Sequence, residues 1–171
     1  MDPNITTQTI ANNYVYHLKN KEFEIDYWNE KYIASADFVR LAADNGAIIR
    51  TIPLEIKLAS GRSPKRSYFY LLWGEWYSMI DFEHSKYKLN RDLESGEIVH
   101  NKYAPDIPIF DEIEKYVVDK AKDPGKHIFK SLDFLAETVC SEEFMNKCND
   151  GNFRCLNFIP IEQFKFSPFW A

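Results

Sequence analysis

Residues 33–56 read IASADFVRLAADNGAIIRTIPLEI, and residues 139–161 read VCSEEFMNKCNDGNFRCLNFIPI. Each run opens on an apolar residue two positions before a serine: Ile33 before Ser35, and Val139 before Ser141. Each sets a phenylalanine three positions after that serine, Phe38 and Phe144. A glycine follows about three helical turns later, Gly46 or Gly151, and an Ile-Pro-apolar step closes the run. In the first copy Ser35 suits a helix N-cap, because its hydroxyl accepts an orphan backbone N–H. Phe38, Val39, Leu41 and Ala42 then form one apolar stripe at helical spacing. Asp44-Asn45-Gly46 ends the helix, with Gly46 free to adopt the left-handed conformation just beyond it. AIIRTIPLEIKL (47–58) resumes as a strand in which Pro53 marks an edge or a bulge. In the second copy Thr138 and Val139 end a strand and Ser141 caps. Glu142 and Glu143 set negative charge against the positive helix end. Phe144, Met145 and Cys148 face inward, and FRCLNFIPI predicts the last main strand. The chain therefore repeats a strand–helix–strand unit, and two such units can pair across one sheet.

Working outward, residues 1–12 read as a loosely ordered start, and NYVYHL (13–18) as a first strand. Phe23, Ile25 and Tyr27 alternate as a strand or extended arm would. LASGRSPKRS (58–67) is a Gly/Pro/Ser loop carrying Arg62, Lys65 and Arg66. YFYLLWGEWYSMIDF (68–82) predicts one or two central aromatic strands broken near Gly74. EHSKYKLNRDLESGEIVHNKYA (83–104) reads as an exposed hairpin or meander turning at Ser95-Gly96. In DEIEKYVVDKAKD (111–123), Ile113, Tyr116, Val117 and Ala121 suit a helix, but the β-branched KYVVD favours a strand. No linker divides the 171 residues. The expectation is a single α+β domain over 1–171, with a mixed, mainly antiparallel sheet and a few short helices.

A chain of this length buries roughly two-thirds of its unfolded surface and needs no staple. Thirteen Phe, ten Tyr and four Trp are enough rings to serve a β-rich core or to leave some facing a partner. The net charge of −5 disfavours direct binding to DNA or RNA phosphates. It suits a basic protein partner better. Cys140, Cys148 and Cys155 are odd in number and form no CxxC pair, and no histidine lies at ligand spacing near them. No run of eighteen apolar residues and no leader-like opening occurs, so the expectation is a soluble, reduced, cytoplasmic protein with no membrane, metal or cofactor partner.

Asp44 followed by Glu55-Ile56-Lys57 outlines a Mg²⁺-dependent nuclease, in which carboxylates hold the ion and a lysine positions water. Asp44 already serves the helix-ending turn, and the acidic balance opposes a grip on DNA, so this enzyme is the alternative reading. In MIDFEHSKY (79–87) a strand would put Asp81, Glu83 and Ser85 on one face and turn His84 away. That leaves no nucleophile–base pair. His17, His100 and His127 stand alone. SGRSPKRS lacks a P-loop frame. Trp73 and Trp76 read as core rather than as base-stacking platforms. No catalytic group emerges.

Three segments in order, SMIDFEHSKY (78–87), HIFKSLDFLAETVCSEEFMNKC (127–148) and FRCLNFIPIEQF (153–164), resemble a family of bacterial immunity proteins. That family was first catalogued as a domain of unknown function and then tied to polymorphic toxin and contact-dependent inhibition systems. Ile80, Asp81, Ser85, Ile128, Phe129, Val139, Ser141, Glu142, Phe144, Phe158, Pro160 and Ile161 carry the match. It covers about the last hundred residues, with the Ser35 copy adding support. Where the family often has a Gly before the last aromatic, this chain has Leu156-Asn157.

The resemblance implies a cytoplasmic antidote that binds the C-terminal domain of a cognate toxin, without turnover, and covers its active or substrate-binding site. Sub-nanomolar affinity corresponds to more than about 12 kcal/mol, over an interface of at least ~1,600 Å². An acidic antidote suits a nuclease toxin, an RNase ahead of a DNase. The motif itself reads as fold, so contacts are sought in exposed acidic stretches. These are Asp81 and Glu83, the turn with Asp92, Glu94 and Glu97, and the run of Asp111, Glu112 and Glu114.

Overall fold

The computed structural model describes residues 3–6, 10–134 and 137–167. The fold is α+β, with mixed, mostly antiparallel sheets and, among the described residues, two short α-helices. The strands begin with β1 (Tyr14–His17), β2 (Tyr27–Trp28) and β3 (Ile33–Ser35). Helix α1 (Ala36–Asp44) then leads into β4 (Ile49–Lys57), β5 (Tyr68–Trp73) and β6 (Trp76–Tyr77). Next come β7 (Lys86–Leu89), β8 (His100–Asn101), β9 (Ala104–Pro108) and β10 (Phe110–Lys115). The last are β11 (Ile128–Ser131), β12 (Thr138–Cys140) and α2 (Glu142–Asp150). The chain forms two compact units. The first draws on Met1–Glu75, Lys126–Phe129 and Cys140–Asn157, the second on Trp76–Gly125, Lys130–Val139 and Phe158–Ala171.

The first unit is built on a five-stranded sheet in the order β1-β4-β5-β3-β2. Its aromatic strand β5 is central, as expected, because Leu71, Leu72 and Trp73 bury almost completely. β4 is internal and pairs with β5 without a register break. Pro53 therefore marks neither an outer strand nor a bulge. It sits one residue before the stretch that β1 covers, which starts at Leu54. Of the expected loose start, residues 1–2 and 7–9 lie outside the described residues. Ile5 is buried against Ile52 and Leu72, and its carbonyl accepts a hydrogen bond from the Arg50 guanidinium at 3.0 Å.

Both repeated serines cap their helices. Ser35 Oγ accepts from Phe38 N–H and Ser141 Oγ from Phe144 N–H, each at 3.2 Å. Gly46 takes the expected positive φ, +86°. At the end of α2 the left-handed residue is Asn152 (φ 54°) rather than Gly151, whose φ is −77°. The two phenylalanines of the repeat meet, edge to face, with ring centroids 6.1 Å apart. Phe38 also stacks flat on Tyr27 at 4.5 Å. Burial of Phe38 and Phe144 is worth about 1.5–3 kcal/mol each, and ring pairs of this kind add about 1 kcal/mol.

The second copy departs from the first after its helix. FRCLNFIPI forms no strand; only a short 3-10 turn follows, at Ile161–Gln163. Cys155 has a positive φ of 62°, which breaks an extended run. The backbone of Arg154 is already engaged. Its N–H donates to the Asp26 carboxylate at 2.7 Å, and its carbonyl accepts from Asp26 N–H at 3.2 Å. Asp26 is 1% exposed and also accepts from Ser35 Oγ (2.7 Å) and from the Arg66 guanidinium (2.6 Å). One buried carboxylate thus ties the cap of α1, the 58–67 loop and the segment after α2 together.

In the second unit, Ile80, Phe110, Ile113, Tyr116 and Phe134 form the core. The Tyr116 hydroxyl and the Met79 N–H both donate to one oxygen of the buried Asp133, at 2.7 and 2.8 Å. β10 pairs antiparallel with β7 and with a single bridge at Phe166. The strand preferred for 111–123 forms only as far as Lys115; KYVVD, which suggested it, leaves the sheet there, residues 116–119 keep a single bridge at Val118, and Lys120–Lys122 is a 3-10 turn. Lys130 is fully buried. Burial holds its pKa down to about 8, with the nearby Glu137 carboxylate pulling the other way.

Candidate functional site

The acidic stretches singled out in the sequence all fall in the second unit, where two kinds of environment hold them. The first is the β7–β10 ladder. Its register sets Glu112 opposite Lys88, and the two side chains pair. Glu114 also pairs with Lys86, although a register shift after Ile113 sets Lys115 opposite that lysine. The Lys86 ammonium holds the Glu114 carboxyl below its usual range, and Glu112 raises Lys88. Asp111 accepts from the Asn90 amide at 2.6 Å. Glu112 and Glu114 are therefore partners in an exposed cross-strand charge ladder rather than bare negative charges.

The second environment is turn chemistry. Asp92 Oδ1 accepts from Glu94 N–H (3.0 Å), Ser95 N–H (2.8 Å) and Ser95 Oγ (3.0 Å). Those bonds keep its carboxyl ionised to lower pH than usual, the Ser95 backbone first among them. Two backbone bonds, Asp92 N–H to Glu97 O and Gly96 N–H to Asp92 O, both 2.9 Å, close the loop. Gly96 supplies the positive φ of 71° that this closure needs. Arg91 bonds the Gly96 carbonyl at 2.9 Å. The expected turn at Ser95-Gly96 thus forms, and Glu94 and Glu97 project from it with no ion pair among the described residues.

Asp81 caps a similar turn, accepting from Glu83 N–H (2.9 Å) and His84 N–H (3.1 Å). Residues 82–84 are a turn rather than a strand, so His84 does not point away. Its Nδ1 lies 2.8 Å from Asp81 Oδ2, and this bond lowers the Asp81 pKa. Glu83 is exposed and forms no ion pair among the described residues. Ser85 Oγ accepts from Val117 N–H at 2.9 Å, which is structural work.

The net charge is unevenly shared. The segments of the first unit carry twelve acidic and twelve basic residues, whereas those of the second carry fourteen and nine. The whole −5 belongs to the second unit.

The residues of the alternative nuclease reading do not converge. Asp44 lines a cavity of about 300 Å³ with Asp26, Asp37, Arg40 and Arg66. Glu55 and Lys57 instead pair with each other at 3.5 Å, two residues apart on β4. Among the described residues no group of three or more His, Cys, Asp or Glu side chains is arranged to hold a metal ion. Arg66 of the basic loop is taken up by Asp26, and Trp73 is core, with no exposure. His127 does not stand alone: Nδ1 lies 3.0 Å from Ser141 Oγ and Nε2 3.7 Å from Glu143. The three cysteines are free thiols, and burial pushes Cys140 up to about 11 and Cys148 to about 12. Among the described residues no helix is long and apolar enough to cross a membrane.

Two features escaped the sequence reading. Asp26 looks like any charged residue of its polar segment, and nothing local marks it as buried. Leu93 is inconspicuous inside an acidic turn; its signal is an apolar residue between Asp92 and Glu94, at a position where no face of a strand or helix can bury it.

A model of the Imm11 immunity protein family matches residues 50–163. The matched span takes in the first two segments quoted above, the third as far as Gln163, and the acidic turns, while Ser35 and Phe38 of the first copy lie outside it. No curated protein matches the chain. Two-thirds of the sequence, including every acidic stretch just described, follows the family pattern, and the chain belongs to the Imm11 family of immunity proteins.

Proposed function

We propose that this immunity protein works in the cytoplasm by binding the C-terminal domain of its cognate toxin, without turnover, and that this domain is a nuclease, an RNase ahead of a DNase. The observation that carries the reading is the confinement of the net charge of −5 to the second unit. A nuclease holds a polyanion in a basic cleft, and an acidic surface complements that cleft and speeds capture. Asp81, Glu83, Asp92, Glu94, Glu97, Asp111, Glu112 and Glu114 supply the contacts. Glu83, Glu94 and Glu97 have no ion pair among the described residues to surrender on binding, so they contribute at the least cost.

The test is to purify the toxin domain encoded beside this gene and follow cleavage of labelled RNA and DNA as the immunity protein is added. One equivalent is expected to stop RNA cleavage. The double variant Glu94→Lys/Glu97→Lys is expected to bind more slowly, with the difference shrinking as salt rises. A toxin domain that cleaves neither RNA nor DNA would overturn the nuclease assignment. Mg²⁺-dependent cleavage by the isolated immunity protein, lost in Glu55→Ala, would overturn binding without turnover.

A further inference from the structure

We propose that Leu93 is the apolar anchor of the toxin interface, entering a pocket on the toxin that is lined by apolar side chains and rimmed by Lys or Arg. This deepens the immunity reading and rests on it. Leu93 is 101% exposed, so none of the other described residues shields it. The other exposed large apolar side chains of the described residues lie between 36% and 54%, each partly covered by its own fold. An isolated exposed leucine is ordinary on a protein surface. This one differs in how its backbone is held.

The loop that carries it is closed by the Asp92 carboxylate, two backbone bonds and the Arg91–Gly96 bond. Ser95 Oγ accepts from Glu97 N–H at 3.3 Å as well. Beneath the loop an isolated bridge joins Arg91 to Ile98. Asn90 N–H donates to Ile109 O, and Val99 N–H to Asn90 O, at 2.9 and 3.0 Å. A loop so braced loses little freedom when it docks, so the gain from burying the side chain is retained as affinity.

Charge selects the partner. From Arg91 to Glu97 the tip carries Asp92, Glu94 and Glu97 against one arginine, and that arginine is engaged within the loop. An apolar point ringed by carboxylates matches the general plan of an interface, dry at the centre and polar at the rim. A hydrophobic slot with basic walls accepts it, whereas an acidic or purely polar surface repels one part or the other. Leu93 does no work in the fold, so its replacement leaves the fold intact.

The experiment titrates the toxin domain encoded beside this gene with the wild-type chain, Leu93→Ala and Leu93→Asp, by calorimetry and by association and dissociation kinetics. Leu93→Ala is expected to raise Kd about tenfold to a hundredfold, mainly through faster dissociation, with an unchanged thermal midpoint. Leu93→Asp is expected to weaken binding further. Wild-type binding that both variants match within twofold would overturn the anchor and leave the immunity reading standing. Failure of the wild-type chain to bind would overturn both.

Discussion

Replacing Asp26 with alanine probes the first unit at the group that joins its distant segments. Three donors lose an acceptor: Ser35 Oγ, Arg154 N–H and the Arg66 guanidinium. The Arg66 side chain is 38% exposed and turns to water when released, so its ion pair is worth little. The other two donors cannot rehydrate as readily, because Ser35 is completely buried and Arg154 N–H is held against a carboxylate that is 1% exposed. Hydrogen bonds to a charged group are worth about 1.5–3 kcal/mol each, so the loss of these two costs the variant about 3–6 kcal/mol. Against a total stability of about 5–15 kcal/mol that is a large fraction. Equilibrium urea denaturation followed by circular dichroism should show a midpoint lowered by about 2 M. Asp26→Asn keeps the shape and one acceptor and should fall between the two. Arg66→Ala should cost under about 1 kcal/mol. The reasoning fails if Asp26→Ala loses less than about 1 kcal/mol, or if Arg66→Ala costs as much as Asp26→Ala. The first result would take the weight off the whole node, and the second would put it on the ion pair rather than on the backbone and hydroxyl bonds.

The two caps should differ, since Ser141→Ala removes a cap worth about 1 kcal/mol, while Ser35→Ala also removes the Asp26 bond and should cost more in the same denaturation assay. Lys130 should make stability depend on pH: its folded pKa lies below the unfolded value, so the unfolded chain holds more protons between about pH 8 and 10. Relative to Lys130→Met, the wild type should then gain about 1 kcal/mol per pH unit over that window, and parallel pH profiles for the two proteins would refute the assignment. In a thiol-labelling time course the exposed Cys155 should react at once, the half-buried Cys140 more slowly, and the buried Cys148 only as the chain opens, because burial raises the last two thiols.

What could be read from the sequence was whatever is decided within a few residues. Ser35 and Ser141 cap because a helix start needs an acceptor at that position, and the requirement does not depend on the rest of the chain. Strand β5 declared itself by its run of large apolar residues, and the 92–97 turn by Asp, Ser and Gly. The expected last strand failed for a distant reason: the backbone of Arg154 is claimed by Asp26, and Cys155 turns left-handed beside it. Register was equally invisible. Nothing in 86–88 or 112–114 alone tells that Lys88 faces Glu112, so charges that looked available are paired. The acidic site was legible as a set of stretches, yet the neutrality of the first unit emerged only once the fold had assigned each segment to its unit.

The bond between Asp26 and Arg154 spans 128 positions of chain. A ribosome adding about 5–20 residues per second needs on the order of ten seconds to travel between them. Throughout that interval the emerging N-terminal sheet lacks α2 and the peptide that completes its carboxylate node. A message cut short after the acidic turns would thus yield every charge of the proposed docking surface and none of the closure of the first unit. Closure of the first unit therefore starts only once Arg154 has been added to the chain.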